Sequence, residues 1–422
     1  MKVLRVGTAL DTNGQGYRFH KAAERYGDDL DVLKALIIGL YDPADVGGRF
    51  RVAAAKIGTL SIRSVHASEA YFDFPNDIRW SRANHLEVQA LADECDVIHL
   101  NNSPRAYFKL HMAKVRKPAL LHHHGTLFRN NPEPLLYDAR RFHMVQAVST
   151  VDLMRHAPDK LHWLPTAYDL DELAAIRKAH RRNPDGLVRI VSAPTNPELK
   201  STDKLKAAVA QLQAEGLPVE LVLVQGKTWR ECLEIKATAD IYFDQVAVPA
   251  LEYPGGYGCN AIEAWGMGIP VVAGADEWTL NRMRRMFTRL PFFPTTELTM
   301  LQSLRMLVGD EYLRRRMARF GNHHAKKYHA EKPALKRLAE LYALAIAKQQ
   351  AAVDQEIEEF PLAPGTFATT LRPSLVVPIG NQQIRFREGR ATVENPEMAK
   401  KMRETIRNRP RFQLSEVFED AG

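Results

Sequence analysis

Short β-branched and aliphatic runs alternate along the chain with longer stretches whose apolar positions recur at helical spacing. One series of runs comprises Val3–Ala9, Leu33–Gly39, Val97–Leu100, Ala119–His123, Val145–Ser149 and Leu161–Leu164. A second comprises Val188–Ala193, Val219–Val224, Ile241–Asp244 and Pro270–Ala273. These runs are candidate strands. Between them Leu86–Cys95, Asp203–Ala214 and Trp229–Thr238 predict amphipathic helices. Such alternation is the signature of βαβ units and parallel sheets. The polar, turn-ending segment Lys178–Gly186 separates the two series, so the expected architecture is α/β with two Rossmann-like domains, residues 1–168 and 187–352.

From Asp310 to Ala352 the pattern is helical, and this helix is expected to return toward the first domain. Pro361, Pro364, Gly365 and Pro373 then break it. Residues 361–422 read as an appended small α+β module. Runs at Ser374–Ile379, Gln383–Phe386 and Ala391–Val393, with a Glu388-Gly389 turn, predict a β-hairpin, and Pro396–Asn408 predicts a helix.

Composition narrows the class. The chain has 422 residues, 45% hydrophobic and 26% charged, which is ordinary for a globular protein. It contains no apolar run of eighteen or more residues, so no transmembrane segment is expected. Arg5 and Asp11 interrupt the N-terminal apolar run, which fits a buried strand better than a signal peptide. Only Cys95, Cys232 and Cys259 occur, far apart and without a CxxC pair, so neither a disulfide framework nor a zinc site is expected. A cytoplasmic location is the simplest expectation. The net charge of +8 is spread over small clusters such as Arg314-Arg315-Arg316 and Lys326-Lys327, which read as solvated helix faces.

The stretch with most chemical content is Gly255–Ala273, a glycine-rich loop, a short helix, a tight turn and a buried strand. Gly255, Gly256 and Gly258 would let backbone N–H groups approach an anion, and the helix start near Cys259 adds a positive dipole end. Glu263, one turn into that helix, reads either as a carboxylate reaching ribose hydroxyls or as a solvated side chain. A second stretch, Val188–Val209, reads as strand, loop and helix start, with Lys200 ahead of Ser201 and Thr202, either of which can cap the helix. Lys200 is a candidate phosphate ligand or a loop lysine, and Asn196 lies in the same loop.

These stretches resemble the donor-binding segments of retaining GT-B glycosyltransferases of the glycogen-synthase-like and sucrose-synthase-like group. The matching residues are Gly256-Tyr257-Gly258, Glu263-Ala264 and Gly268-Ile269-Pro270-Val271-Val272. The first Glu of that pattern would fall at Gly255 and is absent. A subgroup with an upstream Asp-Gln pair also lacks it, and Asp244-Gln245 fits that subgroup. Thr195, Asn196 and Pro197 stand where an Arg is common. The resemblance implies two domains facing across a cleft and hexosyl transfer from a nucleotide-sugar donor, with retention and with neither cofactor nor metal. Donor binding would fall to Lys200, Asn196, Gly255, Gly256, Tyr257, Gly258 and Glu263.

The first half is less specific. Gly14 and Gly16, in Asp11–Arg18, read as a loop for acceptor or donor phosphate or as a tight strand–helix turn. His122-His123-His124-Gly125 follows a predicted strand, and consecutive side chains point to opposite faces, which argues against a shared metal. His124-Gly125 resembles the His-Gly at the cleft edge of many GT-B enzymes, which would place His124 beside the transferred sugar. Asn101 ends another strand and would line the cleft with Gly125. Asp152 reads as a helix cap. The tail stretch Phe386–Val393 followed by the Pro396-Glu397 helix resembles small modules of bacteriophage virion-related proteins. The acceptor therefore stays open among a virion protein, modified phage DNA and a glycan. A GT-B-like scaffold that binds a nucleotide or nucleic acid without transfer is the alternative.

Overall fold

The computed structural model describes residues 33–39, 45–58, 60–67, 77–181, 185–359, 365–369, 376–379, 382–387, 390–408 and 414–417. The expected strand Val3–Ala9 and the loop with Gly14 and Gly16 lie outside them. The chain divides into two compact units, residues 1–347 and 348–422.

The first half of unit one runs β1 (Lys34–Gly39), α1 (Val46–Ile57), β2 (Ser61–His66), β3 (Ile78–Arg79), α2 (His85–Glu94), β4 (Val97–Asn101), α3 (Arg105–Lys109), α4 (Met112–Val115), β5 (Ala119–His123), α5 (Gly125–Asn130), α6 (Pro132–Arg141), β6 (Val145–Val148) and β7 (His162–Trp163). Its strands form a seven-stranded sheet in the order β3-β2-β1-β4-β5-β6-β7. All its pairs are parallel. Both faces are covered: Ala35 and Ile37 pack with α1 on one side, while Leu36 and Ile38 pack with Val88 and Ala92 of α2 on the other. This two-sided burial explains why β1, β4 and β5 are buried at nearly every position and are mostly apolar.

After Tyr168 the chain enters the second half: α7 (Leu170–His180), β8 (Val188–Ser192), α8 (Thr202–Ala214), β9 (Val219–Leu223), α9 (Trp229–Lys236), β10 (Ile241–Phe243), α10 (Cys259–Gly266), β11 (Val271–Ala273), α11 (Glu277–Met286), β12 (Phe293–Pro294), α12 (Met300–Gly309) and α13 (Glu311–His324). The five-stranded sheet has the order β12-β11-β10-β8-β9 and is parallel throughout. Thus two parallel α/β domains are present, as the alternation of runs predicts. α7 packs with the second of them, its Arg177 donating to Ala239 O at 3.0 Å.

The expected helix from Asp310 to Ala352 is not continuous. After α13 a π-helical turn spans Ala325–His329, and Ala330 forms a parallel bridge with Tyr168 before α14 (Glu331–Glu359) begins. Two segments therefore cross between the domains side by side. Ala334, Leu335, Leu338, Leu341, Tyr342 and Ala345 of α14 then pack on Ala35, Ile37, Val97, Leu120 and Val145, which returns the chain to the first sheet.

Unit two has β13 (Gly365–Thr369), β14 (Val376–Ile379), β15 (Gln382–Arg385), β16 (Arg390–Val393), α15 (Pro396–Asn408) and β17 (Leu414–Val417). β14 and β15 form an antiparallel hairpin. β16 does not join it as sequence spacing suggests; it pairs with β13, which also pairs with β17. Ala399 and Met402 of α15 bury against Val377, Phe386, Ala391 and Val393.

Candidate functional site

In an open parallel sheet, ligands bind beyond the carboxyl ends of the strands where strand order reverses. In the first sheet that point lies between β1 and β4, and in the second between β8 and β10. Asn101, Asn102 and the start of α1 occupy the first point, and Asp244-Gln245 the second. Lys200, Gly258, Glu263 and Asp244 gather around the second point in two groups.

One group centres on Asp244. Lys200 Nζ lies 3.4 Å from Asp244 Oδ1 and also reaches Gln245 Oε1. Gly258 N donates to Asp244 Oδ2 at 2.9 Å, and Tyr253 Oη donates to Gln245 Oε1 at 2.8 Å. Burial works against the Lys200 ammonium, but Asp244 beside it overcompensates and holds its pKa above the ordinary lysine range. Lys200 is thus a charged, pre-positioned cation at the mouth of the second sheet. Ser201 takes a left-handed conformation at the start of α8, but neither it nor Thr202 makes the expected cap: Ser201 Oγ donates instead to Glu297 Oε1 at 2.8 Å. Asn196 is exposed, and its Oδ1 accepts from the N–H groups of Glu198 and Leu199 in a local turn.

The glycine loop departs from its expected role in three respects. Gly256 N donates to Gly274 O at 2.8 Å and Gly258 N to Asp244, so two of its amides are committed within the protein. Tyr257 is 5% exposed. Its hydroxyl meets His324 Nε2 at 3.1 Å and His329 Nε2 at 3.3 Å, and its ring packs edge-on against Trp265. Tyr257 is therefore a core residue. At Gly255, φ is +71°, and a Cβ would collide with Gly274 O and lie 2.6 Å from Ala247 N. The carboxylate absent from the motif has no room here, because two backbone segments close over the position.

The second group centres on Glu263, which is neither solvated nor at an open edge. It is 1% exposed. Trp229 Nε1 donates to its Oε1 at 3.0 Å, and Lys236 Nζ pairs with its Oε2. Lys236 is wholly buried and also donates to Asn260 Oδ1 at 2.8 Å. From the other domain, Arg49 Nη2 stands 3.8 Å from Glu263 Oε1, with its guanidinium 4.3 Å from the Tyr168 ring centroid. Arg49 follows Gly47-Gly48 at the start of α1, where Asp45 Oδ1 accepts from Gly48 N at 3.1 Å. This strand–glycine pair–helix turn after β1 escaped the sequence reading, although strand Leu33–Gly39 followed by Gly-Gly was its visible signal.

In the first domain, His124 Nε2 meets Asn101 Oδ1 at 3.2 Å, and His124 N donates to Asn102 Oδ1 at 2.6 Å. Gly125 opens α5 with φ +53°. The rings of His122 and His124 lie on the same side of β5, centroids 4.1 Å apart, while His123 stacks on Phe128 at 3.8 Å. His122 Nδ1 contacts His99 Nε2 at 3.3 Å, and His99 Nδ1 contacts Tyr342 Oη at 3.0 Å. Burial pushes the His99 and His123 imidazoles down to about 3 and that of His122 well below its ordinary value. Asp152 is not a helix cap: its Oδ2 accepts from Arg129 Nη2 at 2.7 Å and Nε at 3.2 Å. Arg155 ties the domains through Asp276, at 2.6 and 2.9 Å. A separate surface concavity, lined by Leu136, Tyr137, Gln146 and His156, shares none of the residues of either group.

No protein-family model matches this sequence, and no curated protein matches it. Among solved structures, HepE of Anabaena in complex with UDP and glucose superposes with a TM-score of 0.53 at 14% identity, covering 73% of this chain and 98% of that one. An alpha-glucosyltransferase in complex with UDP and a 13-mer DNA containing a central A:G mismatch superposes with a TM-score of 0.51 at 10% identity, covering 74% and 98%. HepE in complex with UDP-glucose gives 0.51 at 14%, again covering 73% and 98%. This chain has the GT-B glycosyltransferase fold, with parallel sheets of seven and five strands. No described helix is long and apolar enough to cross a membrane.

Proposed function

We propose that this protein is a glycosyltransferase that moves a hexosyl group from a nucleotide-sugar donor to an acceptor hydroxyl. The observation that carries this reading is Lys200, a partly buried ammonium held at the sheet reversal point of the second domain beside Asp244-Gln245 and the start of α10. When the bond between the anomeric carbon and the diphosphate breaks, its electron pair goes to a phosphate oxygen. A fixed cation stabilises that charge more in the transition state than in the ground state. The acceptor oxygen bonds to the anomeric carbon, and its proton passes to the departing phosphate oxygen. His124, whose ring and backbone N–H meet Asn101 and Asn102, would contact the transferred sugar from the first domain.

Glu263 remains the candidate ribose ligand. Its carboxylate is held by Lys236 and Trp229 and is 1% exposed, so ribose hydroxyls would reach it only from the side that Arg49 now covers at 3.8 Å. The similar solved structures with bound UDP or UDP-glucose support a uridine donor as the first choice of probe. Retention of anomeric configuration and independence from metal follow from the sequence resemblance. The acceptor belongs to the set of a virion protein, modified DNA or a glycan.

The test is thermal stabilisation by UDP, which must bind the native state to raise Tm. UDP should raise the Tm of the parent. Lys200→Ala should lose about 1.5–3 kcal/mol of UDP affinity, the worth of a charge-assisted contact. Equal UDP affinity in both proteins would reduce Lys200 to a structural partner of Asp244.

A further inference from the structure

The proposed diphosphate site has a charge deficit on its own side. Lys200 is paired with Asp244, and Gln245 is neutral, so the second domain brings almost no net positive charge to a multiply charged anion. Another cation must come from elsewhere; among the described residues of the first domain, Arg49 is turned to Glu263, and Arg129 reaches the Asp244 group through Tyr253. The Arg129 guanidinium carbon lies 5.3 Å from the centroid of Tyr253. The Tyr253 hydroxyl donates to the same Gln245 oxygen that Lys200 approaches. Lys200 and Arg129 therefore flank one tyrosine from opposite domains.

We propose that Arg129 is the second cation of the diphosphate site, delivered across the cleft by the first domain. The inference rests on the donor reading above and adds a residue to it. α5 starts at His124-Gly125 and carries Arg129 on its next turn, so the segment that presents the imidazole to the sugar also presents the guanidinium to the leaving group. Asp152, with a side chain 4% exposed, stands behind Arg129 and takes Nε and Nη2 through a single oxygen. Arg129 itself is 18% exposed. The pair thus joins a buried carboxylate to a partly open guanidinium, a geometry that aims a planar cation while leaving part of its donor fork for a phosphate oxygen. A diphosphate held by Lys200 and Arg129 together would bridge the two domains.

A purely structural Arg129–Asp152 pair would only tie α5 to the turn at Val151–His156, and the two readings differ in the sign of one effect. Calorimetric titration of the full chain with inorganic pyrophosphate, UDP and uridine separates them, with Tm measured for each variant. Arg129→Gln should weaken pyrophosphate and UDP about tenfold or more and leave uridine unchanged. Asp152→Asn should lower Tm yet strengthen pyrophosphate binding, because it removes the carboxylate that competes with the anion. If both variants lower Tm and keep the parent's pyrophosphate affinity, the pair is structural and the proposal falls. Should Arg129→Gln not fold, Asp152→Asn decides alone: unchanged or weaker pyrophosphate binding overturns the proposal. Loss of binding in Lys200→Ala but not in Arg129→Gln would leave the donor site standing without Arg129. A parent that binds neither UDP nor pyrophosphate would overturn the donor reading, and Arg129 with it.

Discussion

Replacing Glu263 by Gln keeps the shape of the side chain and removes its charge, and the structure makes that an expensive change. Lys236 has 0% side-chain exposure and Glu263 2%. The other polar partner recorded for the ammonium is the neutral Asn260 amide oxygen at 2.8 Å. Arg49 approaches the same carboxylate at 3.8 Å, so the substitution leaves two buried cations without their shared counter-ion. Breaking one side of a buried pair costs about 3–5 kcal/mol. At about 2–4 °C per kcal/mol for a large domain, Tm should fall by roughly 6–20 °C. Calorimetry and urea unfolding at pH 7.5 read this directly. The double variant Glu263→Gln/Lys236→Met should recover the part of the loss that comes from Lys236, because that pair is then uncharged on both sides, while Arg49 stays in place. A single variant within about 0.5 kcal/mol of the parent, or a double variant less stable than the single one, would refute the reasoning. Nucleotide affinity of the Gln variant is meaningful only below its lowered transition, where the carboxylate's role toward ribose can be tested separately.

Two further outcomes follow from the same geometry. Gly255→Ala combines a left-handed backbone, φ +71°, with a Cβ against backbone atoms, and should cost more than about 2 kcal/mol in urea unfolding, whereas Gly258→Ala, with φ −120° and its nearest contact at 4.0 Å, should cost less than about 1; equal costs would show that the loop relaxes. His99 and His123 titrate at about 3 and His329 at about 4 in the folded chain because burial disfavours their charged forms. Their stabilisation is complete above the unfolded value near 6.5 and falls by about 1.4 kcal/mol per pH unit per histidine as pH drops toward the folded values, so the urea midpoint should fall steadily between pH 6.5 and 5, and a flat profile would contradict this assignment.

The two-domain α/β architecture is written in the strands themselves. β1, β4, β5, β8 and β10 are mostly apolar and mostly buried because helices cover both sheet faces, and this is a local signal. Strand β2, Ser61–His66, alternates with Arg63 exposed, and it escaped a search for unbroken runs. The Lys200 and Asp244-Gln245 positions were legible as motifs, because a helix start and a strand end leave spacing in the chain. Tyr257 shows the limit of such a motif: a Gly-aromatic-Gly turn does not state where the ring goes, and His324 and His329, some seventy residues away, draw it into the core. Arg129 and Lys236 carry no local pattern at all, and Arg49 has only the Gly47-Gly48 pair beside it. Each is a single basic residue whose role appears only when another domain or helix brings Tyr253, Glu263 or Asp152 against it.

The measurement closest to the central claim is release of free sugar and nucleoside diphosphate from a panel of nucleotide sugars, followed by mass spectrometry on the parent and on Lys200→Ala. Transferases with an assembled donor site hydrolyse their donor slowly when water takes the acceptor's place. The account predicts that the parent releases sugar from at least one donor of the panel, UDP-hexoses first. Lys200→Ala should do so at about a tenth of the parent's rate or below, the loss expected from one charge-assisted contact to the leaving group. No release from any donor, together with a Tm that no nucleotide diphosphate moves, would contradict it and leave a GT-B scaffold without transfer.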